Sequence, residues 1–252
     1  MTFFQTRGMI IKMKKLLSLS VFFPAYNEEE NLPALIEQTM VHLPQFAENF
    51  EIIIVNDGSG DNTKTVAEDL AAKYHQVKVV SHHTNLGYGA ALKTGFATAK
   101  YDWVFFTDAD LQFDLAELGQ FLAFTDEYKA IIGYRTARAE GFGRARNAYL
   151  FKLFVNLLFR VHVRDIDCAF KLFRTELIPP LKLQSNGAFI SSELLYKLKK
   201  NHIKIKELPV THYPRLRGNP TGANFKVVIK AGLDAIQLYT SIKLRRLKNH
   251  QW

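Results

Sequence analysis

Tyr101-Asp102-Trp103-Val104-Phe105-Phe106-Thr107-Asp108-Ala109-Asp110-Leu111-Gln112 is an apolar, aromatic run of strand length that ends in two aspartates one residue apart. A strand buried on both faces reads as a continuous apolar run rather than an alternating one, so 103–106 is expected in the middle of a sheet. The carboxylates then stand where that strand leaves the core, at the edge where open α/β sheets bind ligands. Gln112 adds an amide oxygen two residues on. Asp108, Asp110 and Gln112 are hard oxygen donors on one turn, a set that suits Mg²⁺ or Mn²⁺ with positions left for water and phosphate. The plainer reading of either aspartate is a cap on the next helix, a position Asp favours.

Around this stretch strands and helices alternate. Strands are expected over 17–23, 50–55, 77–81 and 130–133. Helices are expected over 28–43 behind an Asn27 cap, over 63–74, from Asn85-Leu86-Gly87-Tyr88-Gly89-Ala90-Ala91 to about 100, and over 115–124. The alternation argues an α/β chain with a mostly parallel central sheet, right-handed crossovers and flanking helices. Past Tyr134 the character changes. Arg135, Arg138, Arg144 and Arg146 crowd around Gly141 and Gly143, and 147–163 is an apolar helix candidate for either the core or a membrane surface. A short strand over 165–173, a helix over 191–200 and a strand over 203–210 follow. A loop over 211–222 carries Arg215 and Arg217, and 223–247 closes the pattern as an amphipathic helix ending in Lys243, Arg245, Arg246 and Lys248. Such a basic end suits the helix dipole and would also sit on anionic lipid. The organisation expected is an N-terminal extension over 1–16, a catalytic domain over 17–223 and a basic, membrane-proximal helix over 224–252.

The bulk composition narrows the classes. With 252 residues, 48% of them hydrophobic, the chain can bury a sizeable core. The single cysteine, Cys168, excludes an intramolecular disulfide. A formal charge of +9 invites anionic partners without choosing among them. Met13-Lys14-Lys15 followed by an apolar run imitates a signal peptide, but Ser18 and Ser20 interrupt it and no small-x-small site follows, so it reads as the first strand. No stretch reaches the ~18 uninterrupted apolar residues that span a bilayer.

Three strand ends carry polar signatures, at 24–28, 56–61 and 108–112, and a parallel sheet brings such ends to one edge. Asp57 could accept from the N–H edge of a pyrimidine or guanine, and Tyr26 could offer its ring to the base. Taken singly, Asn56-Asp57-Gly58-Ser59 is also ordinary turn chemistry. Asn85-Leu86-Gly87-Tyr88-Gly89 lacks the spacing of a dinucleotide fingerprint, so its glycines either approach a phosphate or permit tight packing, with Lys93 facing phosphate or solvent. The histidines, His82 and His83 included, show no metal-ligand spacing with Cys168 and read as surface or packing residues. Ser59, Ser191 and Ser192 have no elbow motif, which leaves hydrolase chemistry without support.

Phe23-Pro24-Ala25-Tyr26-Asn27-Glu28-Glu29, Val55-Asn56-Asp57-Gly58-Ser59, Asn85-Leu86-Gly87, Thr107-Asp108-Ala109-Asp110-Leu111-Gln112 and Gly133-Tyr134-Arg135 occur in that order. Together they resemble family 2 glycosyltransferases, in particular the dolichol- or polyprenol-phosphate mannosyltransferase-like branch, over roughly 17–244. The resemblance implies a glycosyltransferase-A (nucleotide-diphospho-sugar transferase) fold, a nucleotide-diphosphate sugar donor, and inversion at the anomeric carbon. It implies Pro24, Ala25, Tyr26, Glu28, Val55 and Asp57 around base and ribose. Asp108, Ala109, Asp110 and Gln112 would meet the diphosphate through Mg²⁺ or Mn²⁺, and Arg135 and Arg215 would contact phosphate. Two departures stand out: Thr221 stands where the family pattern has a lysine, so one phosphate contact is either missing or supplied instead by Arg217. Asp165-Ile166-Asp167-Cys168-Ala169-Phe170-Lys171 stands where the mannosyltransferases carry an Asp-Leu-Thr-Gly-Ser-Phe-Arg-like stretch, which leaves the donor sugar open.

The expected acceptor is a polyprenyl or dolichyl phosphate. With a second pKa of about 6 it carries its own dianionic nucleophile, so arginines that orient it matter more than a general base. Arg135, Arg144, Arg146, Arg215 and Arg217 are the pool. Asp108, Asp110 and Arg135 are the expected catalytic group. The expected location is cytoplasmic, peripheral at the inner face of the membrane, directly or through an anchoring subunit. Transfer to a sugar hydroxyl or protein is the alternative and would need a carboxylate base such as Asp167 or Glu193. A nucleotide-sugar sensor is a further possibility. A nucleic-acid-binding domain is disfavoured, because bare carboxylates repel a phosphate backbone.

Overall fold

A computed structural model describes residues 3–6, 9–12, 15–136, 153, 156–215, 217, 232–236 and 238–240. Arg138, Arg144, Arg146, Thr221 and most of the 147–155 and 223–247 segments lie outside the described residues. Within the N-terminal extension, β1 (Phe3–Thr6) and β2 (Met9–Lys12) form an antiparallel hairpin separate from the main sheet.

Seven strands make the main sheet: β3 (Leu16–Ala25), β4 (Ala47–Asn56), β5 (Val77–Ser81), β6 (Trp103–Phe106), β7 (Ala130–Arg135), β8 (Lys171–Arg174) and β9 (Ile205–Val210), in the spatial order β5-β4-β3-β6-β8-β7-β9. The neighbours β5, β4, β3 and β6 are all parallel. β8 runs antiparallel between β6 and β7, and β9 is parallel to β7. The sheet is therefore mixed but mostly parallel, as the alternation predicts. The run that imitates a signal sequence is an interior strand of this sheet, between β4 and β6: Leu19, Val21, Phe22 and Phe23 of β3 are fully buried.

The apolar runs do what their composition demands. Val104 and Phe105 of β6 and the run from Ile52 to Val55 of β4 are inaccessible to solvent, each large side chain contributing roughly 1.5–3 kcal/mol by burial. Phe22 stacks on Phe106 at 5.3 Å, and Phe96 meets both rings edge-on at 5.0 and 5.6 Å. Phe96 belongs to α3 (Tyr88–Thr98), so these rings fasten that helix to the sheet. Pro24 is tolerated in a central strand for a local reason. Ala25 accepts a hydrogen bond from Asp57 N–H on the β4 side, so Pro24 faces the β6 side, where pairing has already ended at Phe22.

Some boundaries differ from expectation. Asn27 takes a left-handed φ of 57° and binds the Ser59–Gly60 turn, so it does not cap a helix, and α1 (Leu32–Phe46) starts later. The expected helix over 115–124 is a 3₁₀ turn (Leu115–Glu117) running into the short α4 (Leu118–Leu122). The strand expected over 165–173 is only β8, because Arg135 and Lys171 bind residues 165–168 and draw them away from ladder pairing. α2 (Thr63–Lys73) and α5 (Ile190–Lys200) fall where the periodicity puts them.

At the opposite edge of the sheet from the aspartates, Glu51 is a buried carboxylate with a complete set of partners. It accepts from Ser20 Oγ at 2.7 Å, Lys78 Nζ at 2.9 Å and Lys100 N–H at 3.0 Å. These bonds pin the turn between α3 and β6 and hold its carboxyl below the ordinary range, the hydrogen bonds outweighing the burial that opposes them. Glu51→Ala is expected to destabilise the fold by about 3 kcal/mol. Urea unfolding would show it as a lower midpoint with an unchanged m value.

Candidate active site

The carboxyl ends of β4, β3 and β6 lie side by side, so Asp57, Glu28 and the Asp108–Gln112 turn meet at one edge. Asp108 lies two residues beyond β6, and its Oδ1 accepts from the Tyr88 hydroxyl at 2.9 Å. Burial, and then the charge of Asp110, push the Asp108 carboxyl up to about 7, while Tyr88, Lys171 and Arg135 pull the other way. Burial raises Asp110 as well. Leu111 holds a left-handed φ of 60°, a conformation that costs a β-carbon-bearing residue about 1–3 kcal/mol and persists only when its surroundings fix it. The fixing contacts are visible: Gln112 N–H to Asp110 Oδ1 at 3.3 Å, Gln112 Nε2 to Tyr213 O at 2.9 Å, and Tyr213 N–H to Gln112 O at 2.8 Å. The turn is thus stapled to the chain that follows β9, and Gln112 keeps its amide oxygen outside these bonds.

The same segment brings in Arg215. Its Nη2 donates to Glu28 Oε1 at 2.7 Å, its Nη1 lies 3.5 Å from Asp110 Oδ2, and its Nε donates to Arg217 O at 2.7 Å. Glu28 is buried, and burial raises its carboxyl despite bonds from Asn31 and Arg215. Arg217 is exposed and donates to Glu30 O at 3.2 Å. Arg135 ends β7 and forks onto Asp165, Nε to Oδ2 at 2.7 Å and Nη2 to Oδ1 at 3.0 Å. Burial disfavours its charge, but those bonds outweigh it. Lys171 is completely buried beside the same turn and donates to the carbonyls of Ile166 and Cys168. Burial lowers its pKa and pushes the Cys168 thiol up to about 12.

On the β4 side, Asp57 is fully engaged. Its Oδ1 takes His82 Nδ1 at 2.7 Å and Leu86 N–H at 2.9 Å, and its Oδ2 takes Gly87 N–H at 2.9 Å. Tyr26 stands half-buried at the end of β3, with Pro24 and Ala25 before it and Val55 buried in the adjacent strand. A cavity of about 260 Å³ opens beside Asp57, lined by Asn56, Gly58, Ser59, Lys64, Ser81, His82 and His83.

Several residues behave differently from their sequence reading. His82 is a bridge: its Nε2 lies 2.8 Å from Thr94 Oγ1 while Nδ1 serves Asp57. The glycine pair serves close packing. Gly87 has φ 101°, and a Cβ on Gly87 or Gly89 would stand 2.5 or 2.6 Å from backbone oxygens of Asn186 or Ser185. The Gly89 and Ala90 amides donate to Asn186 O, and Lys93 binds Gln184 O and Asn186 Oδ1, so neither the helix start nor the lysine is left for phosphate. Glu193 is buried and holds the Gln184 and Ser185 amides together with Lys197, which lowers its pKa although burial works against it. That occupation is structural and ill suited to a proton acceptor for substrate. Asp167, by contrast, is exposed on the turn next to Arg135 and Lys171. The roles of Tyr88, His82 and Leu111 were not legible in the sequence, because Tyr88 and His82 act on acids 20 and 25 residues away and Leu111 acts through backbone conformation.

The donor set fits a hard divalent cation: it is all oxygen, and a double positive charge would relieve the repulsion between Asp108 and Asp110. Among the described residues no group of three or more His, Cys, Asp and Glu side chains converges on such a point, so Gln112 is the further protein donor at hand.

Comparison with known proteins agrees with this geometry. Residues 20–180 match the family described as Glycosyl transferase family 2. Glycosyltransferase AglD of Haloferax volcanii is 29% identical over 209 residues, covering 79% of this chain and 34% of that protein. The undecaprenyl-phosphate 4-deoxy-4-formamido-L-arabinose transferase of Aeromonas hydrophila is 34% identical over 176 residues, covering 68% of this chain and 54% of that protein. Dolichyl-phosphate beta-glucosyltransferase ALG5A of Trichomonas vaginalis is 30% identical over 211 residues, covering 76% and 64%. The chain thus spans less than two thirds of these relatives' own length. Among solved structures, glucosyl-3-phosphoglycerate synthase from Mycobacterium tuberculosis, crystallised with Mn²⁺, UDP and glucosyl-3-phosphoglycerate, superposes with TM-score 0.66 at 20% identity over 86% of this chain and 79% of that one. Mannosyl-3-phosphoglycerate synthase from Rubrobacter xylanophilus gives TM-score 0.66 at 19% identity over 94% and 76%. At these identities the likeness shows the fold, which is the expected glycosyltransferase-A fold. A sheet edge of this construction, under a family match that runs through most of its strands, makes the chain a glycosyltransferase that belongs to glycosyl transferase family 2.

Proposed function

We infer that the enzyme transfers a sugar from a nucleotide-diphosphate sugar to a polyprenyl or dolichyl phosphate. The observation that carries this reading is the meeting of the Asp108–Asp110 pair with Arg215 and Glu28 at one sheet edge, beside the Arg135–Asp165 pair. Asp108, Asp110 and Gln112 would hold Mg²⁺ or Mn²⁺, which when bound supplies positive charge to the leaving diphosphate. Pro24, Ala25, Tyr26, Glu28, Val55 and Asp57 line the side where base and ribose would lie, and Ala109 offers backbone between the two aspartates. Arg135, Arg215 and Arg217 would orient phosphate, with Arg146 a further candidate from the chain outside the described residues. Their guanidinium forks fix phosphate geometry, and positioning of this kind supplies much of the rate in phosphate chemistry. The relatives named for undecaprenyl-phosphate and dolichyl-phosphate transfer support the choice of acceptor.

A peripheral place at the inner membrane face goes with that acceptor. Leu153, Leu157, Leu233 and Ile236 are large apolar side chains left exposed, and no described helix is long and apolar enough to cross a membrane. The exposed carboxylate of Asp167 favours one competing reading, in which it serves as base for a hydroxyl acceptor.

One experiment tests both. Nucleotide-diphosphate sugars are offered with Mn²⁺ and polyprenyl phosphate in anionic vesicles, and transfer to the lipid is counted together with vesicle-bound enzyme. Asp167→Asn is expected to stay within about tenfold of the parent, since loss of a general base costs roughly 10²–10⁴-fold. Transfer only to sugar or protein hydroxyls, or collapse of Asp167→Asn, would overturn the phosphate acceptor.

A further inference from the structure

We propose that Tyr88 is a positioning residue for Asp108, and that residues 86–88 form a brace tying the geometry of Asp108 to Asp57 and His82. The proposal rests on the reading of Asp108 as a metal ligand and goes beyond it, because it gives a role to Leu86, Gly87, Tyr88 and His82, which that reading leaves unassigned.

The brace is built from consecutive residues. Leu86 and Gly87 give their amides to the two oxygens of Asp57 at 2.9 Å each, and Tyr88, next in the chain, gives its hydroxyl to Asp108 Oδ1 at 2.9 Å. Asp57 lies just past the end of β4 and Asp108 just past that of β6, with β3 between them. Three consecutive residues at the start of α3 thus span the sheet edge and hold both acids.

Tyr88 has little freedom to place its hydroxyl elsewhere. On its N-terminal side the chain is fixed by the Asp57 bonds and by the φ of 101° at Gly87. On its C-terminal side the Gly89 and Ala90 amides are fixed on Asn186 O, at 2.8 and 3.2 Å. Asp57 is held in turn by His82. A carboxylate oxygen accepts, so His82 Nδ1 donates to Asp57 Oδ1 at 2.7 Å, and Nε2 pairs with the Thr94 hydroxyl at 2.8 Å. Thr94 belongs to α3, the helix that Tyr88 begins, so the path closes on itself. The bond from Tyr88 takes one of the lone-pair sites of Asp108 and so limits how its carboxylate can turn toward a cation. Hydrogen-bond partners of ligating groups set ligand orientation in this way, and their loss typically weakens metal binding 10–100-fold.

Mn²⁺ binding without nucleotide, followed by the electron paramagnetic resonance of the free ion, tests the brace on the whole chain. Tyr88→Phe keeps the ring and removes the hydroxyl, and is expected to raise the Mn²⁺ Kd about 10–100-fold. His82→Leu, three strands away from Asp108 in the sheet, is expected to raise it by a smaller factor of about 2–5, and to add nothing in the double variant if the effect passes through Tyr88. A purely structural role for Tyr88 would lower the melting temperature and leave the Kd in place. A Tyr88→Phe protein that binds Mn²⁺ within twofold of the parent overturns the brace alone. Should Tyr88→Phe not fold, an unchanged Kd in His82→Leu overturns it, and a raised one supports it. A parent that takes up no Mn²⁺, or as much as Asp108→Asn, overturns the metal reading and the brace with it.

Discussion

Asp110→Asn is expected to lower sugar transfer by about 10²–10³-fold, the usual loss when one preorganised electrostatic partner of a developing charge is removed. The side chain keeps its shape, and its Oδ1 can still accept from Gln112 N–H. What changes is charge. Asp110 stands 3.5 Å from Arg215 and next to Asp108 in a largely buried turn, where a full negative charge is worth much more than in water. The loss should fall mainly on kcat at saturating donor, because the interaction strengthens as the diphosphate leaves. Initial rates over a Mn²⁺ titration check it. A variant restored to parental kcat by excess metal would mean that Asp110 contributes only affinity, and one with parental kinetics throughout would remove it from the site.

Asp108→Asn is expected to stabilise the fold while abolishing transfer. The folded Asp108 carboxyl titrates near about 7 against an ordinary 3.8. Between those values the folded chain keeps a proton that the unfolded chain has released, so stability falls as pH rises from about 4 to about 7 and levels off above. Asp110 and Glu28 are raised too and act in the same direction. Glu51 and Glu193 are lowered, so their stabilisation is present above their ordinary 4.5 and is lost as pH falls below it. In the presence of a chelator the parent should therefore be most stable in mildly acidic solution. Asp108→Asn removes the largest falling contribution, roughly 2–4 kcal/mol at neutral pH. Its melting temperature at pH 7.5 should rise by about 4–12 °C, with a flatter pH profile and no transfer activity. Parallel profiles for parent and variant would show that Asp108 is not held at a cost to the fold.

A stabilising substitution that abolishes activity is the behaviour of a site under electrostatic tension. It also explains why the sequence revealed this site so readily. Two acids within four residues of the end of Trp103–Phe106 break off the apolar pattern, and local violations of that kind concentrate where function demands them. The signals at Pro24–Glu28 and Asn56–Asp61 were legible for the same reason, since each interrupts a buried strand. Parallel pairing alone was enough to predict that they converge.

Other parts of the site carried no such mark. His82 follows β5 as an unremarkable half-buried residue, and only the approach of Asp57 and Thr94 gives it a role. The glycines of 85–89 suggested a phosphate loop, but the Asn186 backbone, nearly 100 residues further on, takes up the amides that a phosphate would need. Glu193 offered the right chemistry for a base until the structure showed its oxygens on Gln184, Ser185 and Lys197.

By itself the sequence determined the alternation of strands and helices, the buried character of β3, β4 and β6, and the edge to which the acids go. Those properties follow from periodicity, which is local, and from the general rule that alternating strands and helices pair their strands in parallel. Only the tertiary structure decided that Arg215 binds Glu28 beside Asp110, that Arg135 is clasped by Asp165, and that Tyr88 rather than solvent holds Asp108. A hydrogen bond is set by distance and direction between groups that the chain brings together from afar, and residue type alone fixes neither.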